Sequence, residues 1–297
     1  MAERVSFYSD GIELTGYVYR PDGAAPPGPR AGILLCHGFG AHQARYLPLI
    51  AERLTSRGYV VMTLDYRGFG ESQGPRWRMI PAEQVVDIRN ALTYLGGLEG
   101  VDADRGLGLY GTSFGGANVA ATAAIDERAA CTVSVVGVGC GERWLRSLRR
   151  PWEWEEFRRE VAEDTLRRVR TGESRIVDRL HIMLPDPISR RVAEEALAQF
   201  PETCTEMPLE TAQAVMDFHP ERVVHRIAPR PILYVVAEHD VLVPGEVTRE
   251  LYERSGEPRG WEVVRGAGHY DVYGPPHFDV AMAKAAEWYE RYLPPAC

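Results

Sequence analysis

Gly111-Thr112-Ser113-Phe114-Gly115-Gly116 is a G-x-S-x-G run set between an apolar, strand-like segment (residues 107–110) and an alanine-rich segment with helical character (residues 114–125). A serine flanked by small residues at a strand-to-helix junction suits a sharp turn. The missing side chains let the backbone pass close, and the hydroxyl is left projecting from the end of a sheet. Ser113 is therefore the candidate nucleophile. A chain with 29 glycines produces such a run by chance often enough that the motif alone decides nothing. A serine hydroxyl also needs a base to take its proton, an acid to hold the base and donors for the developing oxyanion, so the rest of the chain must supply these.

Each has a candidate. Asp240 lies just beyond Pro231-Ile232-Leu233-Tyr234-Val235-Val236-Ala237, a continuous apolar stretch of the kind a strand buried on both faces shows. That puts it at a strand's carboxyl end, where open parallel sheets gather ligand-handling residues. Glu238 is the second candidate for the acid. His269 sits in Gly266-Ala267-Gly268-His269-Tyr270-Asp271, beyond the strand-like residues 261–265, and is the best placed of eight histidines. Glycines on its approach allow a loop to fold sharply and turn the imidazole toward the sheet. For the oxyanion, Leu35-Cys36-His37-Gly38-Phe39-Gly40 follows the apolar residues 31–35. Two fixed backbone N–H groups at such a site contribute roughly 3 kcal/mol or more to an acyl-transfer barrier. Phe39 and Phe114 are assigned that role, with His37 propping the turn rather than acting as a second base.

The order Ser, Asp, His, the elbow and the His37-Gly38-Phe39-Gly40 turn together resemble the serine α/β-hydrolase superfamily. Asp65-Tyr66-Arg67-Gly68-Phe69-Gly70-Glu71-Ser72 also resembles the D-x-R-G-x-G-x-S turn that many members carry after their fourth strand, with Asp65 and Arg67 tying loops together. The wording is similar to the dienelactone-hydrolase-like and acyl-peptidase-like esterase branch and its fungal polyketide-processing relatives. Dienelactone hydrolases themselves use cysteine where Ser113 stands. The resemblance implies an α/β-hydrolase fold, a mostly parallel sheet with helices on both faces, and an acyl-enzyme on Ser113. A serine rather than an aspartate at the elbow points away from haloalkane dehalogenation and epoxide hydrolysis. Ester, thioester, lactone and amide cleavage stay open, as do C–C bond hydrolysis, acyl transfer on a polyketide-like or aromatic ketone and, more remotely, ligand binding without catalysis on the same fold.

The residues themselves agree with that architecture. Strand-like runs recur near Ala31, Tyr59, Arg105, Cys131, Arg230 and Trp261. Helical patterns fall between them at residues 46–57, 82–95, 114–125, 246–255 and 277–292, after a hairpin-like start (5–19) and a Pro/Gly linker (21–29). At 297 residues and 45% hydrophobic content, the chain suits one catalytic domain with an insertion. A net charge of −8 argues against nucleic acid or an anionic membrane as partner. No signal peptide is visible, no apolar run approaches a membrane span, and five cysteines without a C-x-x-C pair fit free thiols in the cytoplasm. No metal or organic cofactor is implied; a small acyl or aromatic substrate is the expected partner, and a homodimer is left open.

Residues 141–216 break the α/β alternation, being rich in Trp, Arg and Glu, and read as a helical cap over a core of residues 1–140 and 217–297. Phe157, Val161 and Thr165, with Leu166 and Val169 close by, lie at helical spacings that predict one apolar face. Pro185, Pro187, Pro201 and Pro208 divide the rest into short helices. Trp144, Trp152, Trp154 and Phe157 are the substrate-pocket candidates, weighed against simple packing of the lid. Arg143, Arg146, Arg149 and Arg150 stand beside Glu142, Glu153, Glu155 and Glu156 and read as a solvated ion-pair face rather than an anion site.

Overall fold

Asp10 and Gly11 both take positive φ (49° and 79°), the conformation of a tight two-residue hairpin turn. They join β1 (Glu3–Ser9) to β2 (Ile12–Tyr19) as an antiparallel pair. The computed structural model describes residues 2–21 and 28–296, so most of the expected Pro/Gly linker, with Met1 and Cys297, lies outside the described residues. Beyond it come β3 (Gly32–Cys36), β4 (Val60–Leu64), β5 (Leu107–Thr112) and β6 (Ala129–Val135). An insert holding the short pair β7 (Ile176–Asp178) and β8 (Glu206–Pro208) precedes β9 (Ile232–Ala237) and β10 (Arg259–Val264).

The main sheet runs β1-β2-β4-β3-β5-β6-β9-β10. Its last six strands are parallel and the first two form an antiparallel edge. Strands β3, β4, β5 and β9 are buried along their whole length. This explains their largely apolar composition, because both faces of a doubly covered sheet are dry. Alternate side chains serve two cores. Leu34 and Leu109 face one, while Ile33, Leu35 and Tyr110 face the other. The first core is closed by α2 (Pro81–Gly96) and α3 (Phe114–Ile125), the second by α1 (Leu47–Thr55). The fold is that of an α/β hydrolase, as the sequence predicts.

Between β6 and β9 the chain forms α4 (Gly141–Ser147), α5 (Pro151–Thr171), α6 (Arg179–Ile182), α7 (Pro187–Gln199) and α8 (Glu210–Met216). Two further helices, α9 (Gly245–Arg254) and α10 (His277–Tyr292), complete the two faces. In α5 the inward stripe is Trp154, Phe157, Val161 and Asp164. Burying each apolar member fully contributes roughly 1.5–3 kcal/mol. Leu166 and Val169 do not join it, being 50% and 82% exposed on the far side of the helix. Asp164 takes the inward place instead and accepts from the Arg175 N–H (2.6 Å) and the Ser174 hydroxyl (2.8 Å), which fixes the turn into β7. The β7–β8 ribbon is an addition to the expected all-helical insert, and Arg179 immediately follows its first strand.

Candidate active site

Ser113 stands between β5 and α3 at φ 52° and ψ −124°, a strained backbone for a residue with a side chain. Its neighbours explain why that turn is built from glycine. A Cβ on Gly111 would lie 2.2 Å from the Gly115 carbonyl oxygen, and one on Gly115 would lie 2.4 Å from that of Cys36. The Ser113 N–H donates to Val135 O (2.9 Å), tying the turn to β6.

The structure brings Ser113, His269 and Asp240 into one hydrogen-bonded line. His269 Nε2 lies 3.1 Å from Ser113 Oγ, and Nδ1 lies 2.7 Å from Asp240 Oδ2. The other carboxylate oxygen, Oδ1, accepts from the Leu242 and Val243 N–H groups (2.9 and 2.7 Å), so the acid is oriented by backbone beyond β9. Because a carboxylate only accepts, Nδ1 carries the ring proton and Nε2 presents its lone pair to the serine hydroxyl. Asp240 and His269 are buried, whereas Ser113 is partly open. Glu238, the other candidate acid, points elsewhere and is held by Arg265 (2.5 Å) and the Gly266 N–H (2.9 Å).

The 37–40 turn rides directly over the serine, since a Cβ on Gly38 would come within 2.9 Å of Ser113 Cβ. The N–H of Phe114 opens α3 and has no intrahelical acceptor. Among the described residues neither it nor the Phe39 N–H has an acceptor. The two rings lie edge to face at 6.2 Å. His37 is buried against Tyr66 and Phe69, donating from Nδ1 to Gly38 O (3.1 Å), and burial drives its pKa down to about 3. It is neutral near pH 7 and makes no hydrogen bond to Ser113. Asp65 fastens the next loop by accepting from the Gln43 N–H (2.7 Å) and side-chain amide (2.9 Å). Arg67 clamps Asp87 of α2 (2.6 Å) and reaches Asp10 of the first hairpin (3.1 Å). Both therefore tie loops together, as the sequence predicts.

A cavity of about 440 Å³, counting its open mouth, lies against Ser113 and His269. Its walls correct the sequence reading. None of Trp144, Trp152, Trp154 and Phe157 lines it; Phe39, Arg45, Tyr46, Arg179, Met183, Leu242, Tyr270 and Tyr273 do. Trp144 is fully buried, donates to Leu242 O (2.8 Å) and backs the rings of Phe39 and Phe114 at 5.7 and 5.6 Å. Trp152 is 60% exposed, with Arg150 over its ring. Trp154 and Phe157 pack inside the insert. The aromatic wall comes instead from Tyr46 stacked on Tyr273 (4.5 Å) and from Tyr270 edge-on to His269 (5.0 Å). Tyr270 and Tyr273 lie within four residues of His269, so their sequence position alone marks them as neighbours of the base. Arg45, Arg179 and Met183 carried no local signal.

One further group of donor atoms was also missed, because its members are far apart in the chain. Cys140 Sγ, His219 Nδ1 and a Glu221 carboxylate oxygen lie within 4.8 Å of one another. A thiol, an imidazole and a carboxylate are the donor types a zinc-like cation accepts. Burial pushes the Cys140 thiol up, so near neutral pH it is a protonated hydrogen-bond partner of His219, 3.4 Å away. The trio takes no part in the Ser113 line.

A family described as serine aminopeptidase, S33, matches residues 27–270. An uncharacterized 31.7 kDa protein of the traX-finO intergenic region of Escherichia coli is 32% identical over 287 residues, 96% of this chain and 97% of that one. The quorum-quenching protein AidA of Acinetobacter baumannii (strain MDR-ZJ06) is 27% identical over 312 residues, 98% of this chain and 95% of the other. Among solved structures, the alpha/beta hydrolase GrgF from Penicillium sp. sh18 superposes with a TM-score of 0.81 at 23% identity, over 99% of both chains.

Proposed function

The chain belongs to the serine aminopeptidase S33 family of the α/β-hydrolase superfamily, and from that premise we propose that it cleaves a carboxylic ester or a related acyl bond through an acyl-enzyme on Ser113. The observation that carries this reading is the continuous line from Ser113 Oγ through His269 to Asp240. His269 Nε2 takes the hydroxyl proton as Ser113 Oγ attacks the acyl carbon, and Asp240 holds the imidazolium that results. The Phe39 and Phe114 N–H groups receive the oxyanion. His269 then returns the proton to the leaving group, and a water deprotonated by the same nitrogen releases the acid.

The insert, residues 141–216, acts as the cap over a core of residues 1–140 and 217–297, since Arg179 and Met183 from it close one side of the cavity. The walls Tyr46, Tyr270, Tyr273, Met183 and Leu242 suit an acyl or aromatic group of modest size. The four cysteines among the described residues are free, which fits a reducing cytoplasm, and no helix there is long and apolar enough to cross a membrane.

Turnover of p-nitrophenyl esters from acetate to octanoate, alongside acyl thioesters, tests the reading. Wild type should hydrolyse at least one series and Ser113→Ala should not. Full activity in the pure Ser113→Ala protein would sink the assignment.

A further inference from the structure

Arg179 is a buried cation whose surroundings among the described residues do not account for it. It is 6% exposed, its Nε is buried without a hydrogen-bond partner, and it lines the cavity beside Ser113. No carboxylate lies within 4 Å of it among the described residues. The adjacent Asp178 is exposed and committed to capping α6, accepting from the Leu180 N–H (2.6 Å). Burial accordingly pulls the Arg179 pKa below its ordinary value. A guanidinium stays charged, and a buried charge without a counterion is strongly unfavourable unless something else in the site compensates it.

Several features hold that cation in place. Gly40, at φ 58°, clears its path, because a Cβ there would come within 2.7 Å of Arg179 Cδ. The Arg179 N–H donates to Thr205 O (2.9 Å) at the β7–β8 ribbon. Arg149 donates to the His181 and Ile182 carbonyls (2.5 and 2.9 Å), bracing the far end of α6. A second cation, Arg45, stands on the same cavity wall, half-buried, bonded to the Tyr46 hydroxyl (2.8 Å) and, among the described residues, not ion-paired.

We propose that Arg179, seconded by Arg45, is an anion subsite of the Ser113 cavity, and that the acyl substrate carries a free carboxylate besides the bond to be cleaved. This rests on the hydrolase reading and names the substrate class of the same site. The buried guanidinium of Arg179 matches the single charge and two in-plane oxygens of a carboxylate. A phosphate dianion would call for a second buried cation, whereas Arg45 is only half-buried and shares its donors with the Tyr46 hydroxyl. Phe39, Tyr46, Met183, Leu242, Tyr270 and Tyr273 on the remaining walls suit the carbon skeleton joining the two ends.

The test uses the monomethyl esters of the six-, eight- and ten-carbon straight-chain diacids, each paired with a neutral counterpart in which the free acid is a primary amide. Binding is measured by calorimetry to Ser113→Ala, which cannot turn them over, and again with Arg179→Met or Arg179→Gln added. At the best chain length the acid should bind about tenfold or more tighter than its amide, and either Arg179 change should collapse that ratio toward one. A ratio near one in Ser113→Ala at every length, or a preference that survives both Arg179 changes, overturns the proposal. Hydrolysis by the wild type separates the two readings. Binding of the acid through Arg179 without any hydrolysis removes the Ser113 chemistry and leaves the subsite; hydrolysis of acid and amide alike without preference does the reverse.

Discussion

The sheet's carboxyl edge and the 141–216 insert meet at one cavity, but they are built by different rules. At the sheet edge each side chain is placed by its own strand. Ser113 follows β5, Asp240 follows β9, and His269 lies on the loop after β10, so parallel pairing brings them together wherever the fold forms. In the insert, position depends on long contacts. Arg179 reaches the site because a three-residue ribbon, a four-residue helix and the bracing Arg149 happen to set it over Gly40. On the proposed reading the edge supplies the chemistry and the insert selects the substrate.

That division can be broken from the edge first. Asp240→Asn keeps the shape of the site but favours the wrong imidazole tautomer, and kcat should fall on the order of 10³ to 10⁴-fold. Steady-state kinetics check it, and a loss under tenfold would mean that Asp240 does not orient the base. Gly115→Ala is next. Its Cβ would strike the Cys36 and His37 carbonyls at 2.4 and 2.5 Å, so β3 and α3 must part. Stability should drop by about 3 kcal/mol or more in denaturant unfolding; a wild-type midpoint would contradict the close-packed elbow.

Two buried titratable side chains at and beside the 37–40 turn, His37 and Asp65, sharpen the comparison through pH. His37 is held neutral down to about 3 against an ordinary 6.5. Between those values the unfolded chain binds a proton that the native state refuses. The stabilisation from neutral His37 is therefore complete above pH 6.5 and is lost as pH falls, by about 2 kcal/mol at pH 5. Asp65, pushed up to about 6 by burial, works in the opposite direction, since the native state takes its proton first and gains stability on acidification. Urea melts at pH 7 and 5 should show His37→Gln gaining on wild type by about 2 kcal/mol and Asp65→Asn losing by about 1 kcal/mol over that interval. Parallel pH dependences in all three would remove both buried titrations. The smallest effect belongs to the insert's outer surface. Trp152→Ala should change stability by less than about 0.5 kcal/mol and leave ester turnover alone, because the ring is 60% exposed and away from the cavity.

Legibility in the sequence follows the same line. Apolar strand runs and glycine turns carry their meaning within ten residues, so the parallel sheet, the elbow and the order of Ser113, Asp240 and His269 could be read directly. Trp144, Trp152, Trp154 and Phe157 looked like pocket residues because pockets and cores draw on the same side chains. Only tertiary packing separates a Trp that backs the Phe39 and Phe114 rings from a Tyr that walls the cavity. Leu166 and Val169 misled for a related reason, since the insert's longest helix gives an inward place to Asp164. Arg179 was indistinguishable by local pattern from the other arginines of the insert, and only its burial without a counterion sets it apart.

The central claim, that Ser113 is a nucleophile activated through His269, is tested most directly by intact-mass spectrometry after treatment with a fluorophosphonate. The account predicts one adduct on the wild-type chain, none on Ser113→Ala and strongly slowed labelling of His269→Ala. An unlabelled but folded wild type, or an adduct that persists in Ser113→Ala, would contradict it.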